Sequence, residues 1–296
     1  MAPGLYSSVL ITGGGGMLAA ALARTLRERG HAPVLLDRGG LDVTNAGAIG
    51  DTFARHVPTL VFNCAAYTKV DLAEQEPEIA NRVNGEAAGR LAFEAMRCGA
   101  KFVHYSTDYV FDGTLRRPLR QDDPVGPQSA YGRSKLIGEQ AIQDLAVLDH
   151  LILRTAWLYG PNGPNFVKTM VTLARAGKPL RVVNDQVGSP TYTLDLAAAT
   201  LDLIDRDASG VWHLSNSGET TWFQFANAVF EEWGLQPDLQ PITSDAWKAQ
   251  RPESAPRPPY SVLDVTPFEK AVGRPIRHWR EALRAFKVES DRAGML

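Results

Sequence analysis

The sequence predicts an α/β fold, a doubly wound parallel sheet that carries a smaller, mostly helical C-terminal lobe. Short apolar runs of β-forming residues alternate with amphipathic segments through the first half of the chain. The runs are apolar nearly throughout, as strands are when helices cover both faces of a parallel sheet. With 296 residues, 44% of them hydrophobic, the chain has enough core for one large domain and a smaller one.

The predicted elements alternate along the chain. Strands are predicted at 7–12, 33–37, 59–66, 101–107 and 150–157, and helices at 17–28, from about 45 onward, at 77–97 and at 129–145. Past residue 160 we predict short strands at 180–184 and 211–215 and helices at 166–176, 193–205 and 222–233. The polar segment 112–128 should be a surface loop, and the proline-rich stretch 250–260 an ordered loop or a lid.

A glycine turn links the first strand to the first helix. Four glycines at 13–16 directly follow the apolar run. Glycine lets the backbone turn tightly and approach a pyrophosphate, while the helix N-terminus presents free N–H groups. This context makes the turn a Rossmann-like dinucleotide fingerprint, although Ala19 replaces the third glycine and adds only a methyl group. We expect the cofactor to contact Gly13, Gly15, Gly16, Met17 and Leu18.

The end of the second strand carries two opposing signals about the cofactor. Asp37 suits the ribose hydroxyls of NAD, whereas Arg38 suits the 2′-phosphate of NADP. The sequence therefore leaves the choice between NADH and NADPH open. Asp42 and Val43, in the turn that follows, are further candidates for the adenine end of the cofactor.

Tyr131 and Lys135 stand four residues apart on a predicted helix, so their side chains share one face. A phenol is a poor acid–base group at neutral pH, and a neighbouring ammonium favours its ionised form. The fourth strand ends at Thr107, which brings a hydroxyl to the edge where ligands bind in such sheets. These three residues are the predicted catalytic set.

Composition narrows the class of protein. The net charge of −2 gives no reason to expect nucleic acid or a membrane surface as a partner. Two cysteines are too few for a disulfide framework, and no apolar run reaches the roughly 20 residues of a membrane span. The first residues lack the basic region and the apolar region of a signal peptide, so we expect a cytoplasmic protein.

Motifs along most of the chain resemble the dTDP-4-dehydrorhamnose reductase family of extended short-chain dehydrogenase/reductases. Ser-Thr-Asp-Tyr-Val-Phe at 106–111 and Asp-Gln-Val-Gly-Ser-Pro-Thr at 185–191 are the most specific segments. Further matching segments lie at 41–44, 63–71, 83–84, 131–139 and 154–160. The resemblance implies an NAD(P)-binding Rossmann domain at 1–160. Residues 161–296 would mainly form a substrate-binding lobe, with some segments returning to the first domain.

The implied activity is reduction of the C4 ketone of dTDP-4-dehydro-L-rhamnose to dTDP-L-rhamnose. NADPH is the expected hydride donor, and NADH is the alternative donor. Tyr131 would donate the proton, Lys135 would lower the tyrosine pKa and hold the nicotinamide ribose, and Thr107 would hydrogen-bond the substrate oxygen. The resemblance adds cofactor contacts from Cys64, Ala65, Ala66, Tyr67 and Tyr105. It adds substrate contacts from Thr68, Val70, Asp108, Tyr109 and Trp157.

Several points stay open at this level. Lys168, Arg251 and Arg257 are candidates for the dTDP pyrophosphate by location only. The resembled family includes members that bind Mg²⁺ through an acidic residue just after the glycine turn. Residues 17–22 contain no carboxylate, so we predict no metal requirement. We expect a small dTDP-sugar as partner, with a homodimer as one open oligomeric state.

Two alternatives to this activity remain. One is a reductase of another dTDP-4-ketosugar, from a dihydrostreptose or antibiotic deoxysugar pathway, which would share all the catalytic motifs. The other is a regulatory subunit of the same fold without turnover, which would not need the intact set of Thr107, Tyr131 and Lys135.

Overall fold

The computed structural model describes residues 6–296 of the chain. The N-terminal residues for which we expect no signal peptide lie outside this range, apart from Tyr6. The strands are β1 (Val9–Thr12), β2 (Val34–Leu36), β3 (Leu60–Asn63), β4 (Lys101–Thr107), β5 (His150–Thr155), β6 (Leu158–Tyr159), β7 (Leu180–Val183), β8 (Val187–Gly188), β9 (Thr191–Tyr192), β10 (Gly210–His213), β11 (Thr220–Thr221) and β12 (Leu239–Ile242).

The described residues form twelve α-helices, six of which start at a residue whose side chain caps the helix. The α-helices are α1 (Met17–Glu28), α2 (Ala46–His56), α3 (Val70–Ala73), α4 (Pro77–Ala80), α5 (Ala87–Arg97), α6 (Ala130–Gln143), α7 (Phe166–Arg175), α8 (Thr193–Ile204), α9 (Trp222–Trp233), α10 (Ser244–Gln250), α11 (Thr266–Val272) and α12 (Trp279–Arg292). A π-helix, Asn81–Glu86, joins α4 to α5, and a 3₁₀-helix, Asp108–Val110, follows β4.

The main sheet has six parallel strands in the order β10-β5-β4-β3-β1-β2. Its strands are short, the four central ones are buried and the edge strands β2 and β10 are half-buried. Both faces are covered by helices that pack on two apolar clusters. One cluster includes α1 and α8, and the other includes α2 and α5. The predicted fold class, a doubly wound parallel sheet, is therefore confirmed.

Two local features differ from the predictions, and one strand from the C-terminal part of the chain joins the main sheet. β3 ends at Asn63, so Cys64 lies just past the strand and is only half-buried. The helix predicted at 77–97 begins at Pro77 but is interrupted by the π-helix. β10 pairs with β5 and extends the main sheet.

The C-terminal part of the chain also builds a separate apolar core rich in aromatic rings. Tyr159, Tyr192, Phe225 and Phe286 pack around one another, with ring centroids 5.5 to 5.8 Å apart. Three two-stranded pairings surround this core: β12 with β7, β11 with β8, and β6 with β9. Among residues 6–296, no helix combines the length and apolar character needed to cross a membrane.

Candidate active site

The three predicted catalytic residues meet at the carboxyl edge of the main sheet. Thr107 is the last residue of β4, and Tyr131 and Lys135 lie one turn apart near the start of α6. Thr107 and Lys135 are buried, whereas Tyr131 is half-buried. Tyr131 thus keeps a path to a ligand, and its two partners are shielded from water.

The start of α6 is held close to the 3₁₀-helix after β4. The Ser129 hydroxyl caps α6 by accepting a hydrogen bond of 3.1 Å from the N–H of Gly132. Position 132 requires glycine, because a Cβ there would collide with the carbonyl oxygen of Tyr109. This close approach sets the Tyr109 ring edge-on to the Tyr131 ring, with centroids 5.8 Å apart.

Burial raises the pKa of the Tyr131 phenol to about 12, against the lowering effect of a hydrogen bond with Thr107. The nearby Asp108 carboxyl raises the pKa further. We expected the Lys135 ammonium to lower the pKa of Tyr131. In the structure that ammonium lies against His104, and the pKa of Tyr131 is raised. At neutral pH Tyr131 therefore holds its proton.

Lys135 Nζ lies 3.1 Å from Nε2 of His104, a fully buried residue of β4. Burial lowers the pKa of Lys135 to about 8, and Glu139 and Cys64 act in the opposite direction. Burial and the positive charge of Lys135 hold the pKa of His104 well below its usual value. His104 is a residue that our sequence reasoning missed, because it lies inside an apolar strand with no motif of its own.

Asp108 follows Thr107 directly and is 2% exposed. The Thr107 hydroxyl donates a hydrogen bond of 3.1 Å to Asp108 Oδ1 and accepts one of 3.2 Å from the Tyr109 N–H. Burial raises the pKa of Asp108 to about 7, although hydrogen bonds from Ser261 and Thr107 lower it. Asp108 thus fixes the Thr107 hydroxyl from one side.

The glycine turn fits a dinucleotide pyrophosphate. Gly13 has φ +67°, and a Cβ there would lie 2.7 Å from the backbone of Cys64 and Ala65, so only glycine lets β1 turn this close to the end of β3. Gly15 is exposed, with open space on its Cβ side. Gly16 caps α1 without a side-chain hydrogen bond, which leaves the first N–H groups of the helix for an anion.

The acidic residues expected at the adenine end of the cofactor already accept hydrogen bonds from groups in their own turns. Asp37 Oδ1 accepts a hydrogen bond of 2.9 Å from the Gly40 N–H. Asp42 Oδ1 accepts from the N–H and hydroxyl of Thr44, and these bonds lower the pKa of Asp42. Arg38 is exposed, and no described residue pairs with its guanidinium in a hydrogen bond or ion pair. Asp37 is exposed too, and its carboxylate can accept further hydrogen bonds, so both groups are open to a ligand.

The segment after β3 is positioned by the π-helix. Asn84 Oδ1 accepts a hydrogen bond of 2.8 Å from the Tyr67 N–H, and Asn84 Nδ2 donates bonds of 3.0 Å to the Tyr67 carbonyl and 2.9 Å to Ser134 on α6. These bonds fix the backbone next to Ala65 and Ala66 beside the glycine turn. Asn84 belongs to the matching segment 83–84, but we assigned it no role in the site, because a π-helix cannot be read from sequence periodicity.

The remaining predicted site residues divide between the cleft and the core. Thr68 is exposed and Val70 half-buried, just before and at the start of α3. The Tyr105 hydroxyl donates a hydrogen bond of 3.0 Å to Thr200 of α8, which turns this ring into the core rather than toward Tyr131. Trp157 has φ +49°, and its indole stacks on Trp222 at 3.5 Å between ring centroids.

The three pyrophosphate candidates already contact protein groups. Lys168 donates to the carbonyl of Pro161, and Arg251 stacks on the Trp247 ring. Arg257 lies 2.8 Å from Asp71, which links the proline-rich stretch to the segment after β3. Among residues 6–296, no group of three or more His, Cys, Asp or Glu side chains is arranged to hold a metal ion. The absence of a metal requirement stays a prediction.

Comparison with known proteins links this site to one family. Residues 7–291 match the family model described as RmlD substrate binding domain. The chain is 43% identical over 287 residues to the spore coat polysaccharide biosynthesis protein SpsK of Bacillus subtilis strain 168, covering 97% of this chain and 99% of that protein. It is 43% identical over 292 residues to the dTDP-4-dehydrorhamnose reductase of Streptomyces griseus, covering 96% and 95%.

A solved structure extends the likeness to the whole fold. The dTDP-4-dehydrorhamnose reductase of Bacillus anthracis strain Ames, solved in complex with NADP, superposes with a TM-score of 0.90 at 34% identity. The match covers 96% of this chain and 99% of that chain. With its parallel sheet, its glycine turn and its Thr107, Tyr131 and Lys135, this chain belongs to the RmlD family, as its resemblance to the dTDP-4-dehydrorhamnose reductases implied.

Proposed function

We propose that this protein is an NADPH-dependent oxidoreductase that reduces the C4 ketone of dTDP-4-dehydro-L-rhamnose to dTDP-L-rhamnose. The observation that carries the proposal is a protonated, half-buried phenol, Tyr131, next to a buried hydroxyl, Thr107, at the ligand edge of a dinucleotide-binding sheet. The chain's full-length likeness to reductases of this name supports the choice of substrate.

Tyr131 is the proton donor to the substrate oxygen. Bound NADPH would supply the hydride to the carbonyl carbon. The pKa of about 12 keeps the proton on Tyr131 until the substrate oxygen gains negative charge and becomes more basic than the phenolate. Such a donor acts mainly in the transition state, where its interaction with the oxygen is strongest.

Thr107 and Lys135 prepare the site around Tyr131. The Thr107 hydroxyl donates its one proton to Asp108 Oδ1 and accepts a bond from the Tyr109 N–H. To hydrogen-bond the substrate oxygen it would turn that proton from Asp108 to the ligand. Lys135 lies one turn from Tyr131 on α6, and it would bind the nicotinamide ribose hydroxyls. Its buried position strengthens its electrostatic effect on charge that develops nearby.

Arg38 supports NADPH over NADH. Its guanidinium is exposed and unpaired within the described part of the chain, whereas the Asp37 carboxylate accepts a hydrogen bond from its own turn. A guanidinium binds a 2′-phosphate through paired, charge-assisted hydrogen bonds.

The remaining assignments of cofactor and substrate residues belong to this proposal. We assign residues 1–160 to cofactor binding and 161–296 mainly to substrate binding, with β10 in the main sheet and α8 packed on it. Thr68, Val70, Asp108, Tyr109 and Trp157 are assigned to the sugar. We further propose a cytoplasmic location, with a homodimer to be tested by light scattering.

The proposal is tested by following NADPH oxidation, and NADH oxidation in parallel, with freshly generated dTDP-4-dehydro-L-rhamnose. Turnover that yields dTDP-L-rhamnose, and that is lost in Tyr131→Phe, would support it. NADPH binding without turnover of this sugar would contradict the substrate assignment. Turnover of a different dTDP-4-ketosugar would then favour the first alternative, and no turnover of any would favour a regulatory subunit.

A further inference from the structure

A row of buried polar side chains crosses the middle of the main sheet. Thr12, Asn63 and His104 are register partners on the adjacent strands β1, β3 and β4. Thr12 Oγ1 lies 2.8 Å from Asn63 Oδ1, and the Asn63 amide nitrogen lies 3.0 Å from His104 Nδ1. With His104 Nε2 against Lys135 Nζ at 3.1 Å, the row runs from the glycine turn to the proposed ribose-binding lysine.

All four members of this row are at most 2% exposed. Polar groups this deeply buried are costly unless they are hydrogen-bonded, and a chain that is fully bonded holds its members in one arrangement. Three bonded polar residues on adjacent strands that end at a buried lysine therefore call for an explanation beyond packing.

His104 is the hydrogen-bond acceptor available to Lys135. The charged and titratable groups that face Lys135 are Cys64 after β3, His104 on β4 and Glu139 on its own helix. The Glu139 carboxylate is occupied by Arg154, through bonds of 3.0 and 2.7 Å. Within residues 6–296, His104 Nε2 is the hydrogen-bond partner of the Lys135 nitrogen.

The bond directions in the row depend on the charge of Lys135. His104 is neutral and carries one ring proton, because its pKa is held far below neutrality. An ammonium at Lys135 can only donate, so Nε2 must accept and Nδ1–H must donate to the oxygen of the Asn63 amide. A neutral amine can accept from Nε2–H, in which case Nδ1 accepts from the Asn63 amide nitrogen, and this is the amide rotation found in the structure. The ammonium form needs the opposite rotation of the amide.

We propose that His104 is a positioning residue for Lys135. The ring tautomer of His104, which is set through Asn63 and Thr12, switches with the charge of Lys135. The lysine nitrogen thus stays hydrogen-bonded both as an ammonium and as a neutral amine. The inference deepens the proposed function, on which its catalytic consequence rests. By anchoring one N–H of the ammonium, His104 leaves the other two free to bind the ribose and holds the ammonium against the loss of its proton.

The switch is tested first without substrate or cofactor. The full-length protein, labelled with ¹⁵N-histidine, is titrated from about pH 6 to pH 10 by NMR, which brackets the Lys135 pKa of about 8. The His104 signals, assigned as those missing in His104→Gln, should change from the Nδ1–H to the Nε2–H tautomer. In Lys135→Met the change should be absent. A tautomer that does not depend on pH, or that changes equally in Lys135→Met, overturns the proposal.

The consequence for catalysis is tested with three variants. His104→Leu should lower kcat/KM for NADPH by about 10- to 100-fold, the cost of one hydrogen bond to a charged group, and move the alkaline limb of the pH profile to lower pH. His104→Gln, whose amide oxygen can accept near the position of Nε2, should restore most of the rate. His213→Leu, at another fully buried histidine of the same sheet, should leave the pH profile unchanged.

Each result bears on a different claim. An unshifted pH profile in His104→Leu, or an equal shift in His213→Leu, contradicts the positioning role. Absence of turnover in the unmodified protein would contradict the proposed function, while the NMR titration would still decide on the switch. Because that titration uses His104 itself and Lys135→Met, a poorly folded His104→Leu would not leave the proposal untested.

Discussion

The carboxyl edge of the main sheet and the aromatic core of the C-terminal part are both buried, but they are built from opposite kinds of group. At the sheet edge, titratable side chains are packed together, and burial moves the pKa values of Asp108, Tyr131 and Lys135 to about 7, 12 and 8. The aromatic core instead packs rings such as Tyr159 and Phe286 in edge and stacked contacts.

The two regions contribute with opposite sign to the free energy of folding. Burying polar groups costs free energy that hydrogen bonds only partly offset, whereas burying aromatic rings stabilises the fold directly. We infer that the aromatic core supports a sheet edge that is suited to chemistry at some cost in stability. Substitutions in the first region should change the rate or, where they remove a buried charge, raise the free energy of unfolding. Those in the second should mainly lower the free energy of unfolding.

The largest expected effect is on the rate of Tyr131→Phe. Removing a positioned proton donor should lower kcat by about 10²- to 10⁴-fold, while NADPH binding, followed by fluorescence, stays close to that of the unmodified protein. Tyr159→Phe is the matched control, because its buried hydroxyl has no hydrogen-bond partner among the described residues. A Tyr131→Phe variant that keeps more than about a tenth of the rate would show that another group donates the proton.

In the aromatic core, Phe286→Ala should lower the free energy of unfolding by about 3–5 kcal/mol, the usual cost of emptying a buried phenylalanine site. Phe286 is fully buried, against Tyr159, Tyr192 and Trp233. Urea unfolding measures the loss, and kcat per folded molecule should not change. Phe93→Ala, at a ring that is 46% exposed, should cost little. A large fall in kcat for Phe286→Ala would break the separation between the two regions.

Asp108→Asn tests the cost of burying a carboxyl group. Between about pH 4 and the Asp108 pKa of about 7, the folded protein holds a proton that the unfolded chain has released. The free energy of unfolding should therefore fall as pH rises through this window. Asp108→Asn should remove this fall and be more stable at pH 8 by up to about 4 kcal/mol, since one pKa unit corresponds to about 1.4 kcal/mol.

Urea unfolding at several pH values checks this prediction, and the two proteins should converge below about pH 4. Asp245→Asn, at an exposed position of α10, should follow the unmodified protein at every pH. A variant that is less stable than the unmodified protein at pH 8 would mean that the hydrogen bonds of Asp108 outweigh its burial.

The smallest effect is expected at the edge of the cofactor site. Arg38→Ala should raise KM for NADPH about 10-fold, as the loss of one charge-assisted hydrogen bond would, and leave KM for NADH unchanged. Arg55→Ala, an exposed arginine on α2, controls for a general loss of positive charge. An equal change in KM for both cofactors would exclude a contact of Arg38 with the 2′-phosphate.

Local signals in the sequence were sufficient to predict an element where its structure depends only on residues of the same segment. The helix predicted at 17–28 is found at those residues, and Asn45 and Ser129 cap α2 and α6 as their side chains favour. The π-helix at 81–86 was not predictable, because what holds it includes the bonds of Asn84 to Tyr67 and Ser134, which come from other segments.

The sequence by itself determined the class of fold, the glycine turn and the set of Thr107, Tyr131 and Lys135, because periodicity and short spacings depend on neighbours along the chain. Tertiary structure alone decided that Lys135 lies on His104, that Trp157 stacks on Trp222 and that the Tyr131 pKa rises. These properties depend on burial and on partners dozens of residues away, which exist only once the strands and helices have packed.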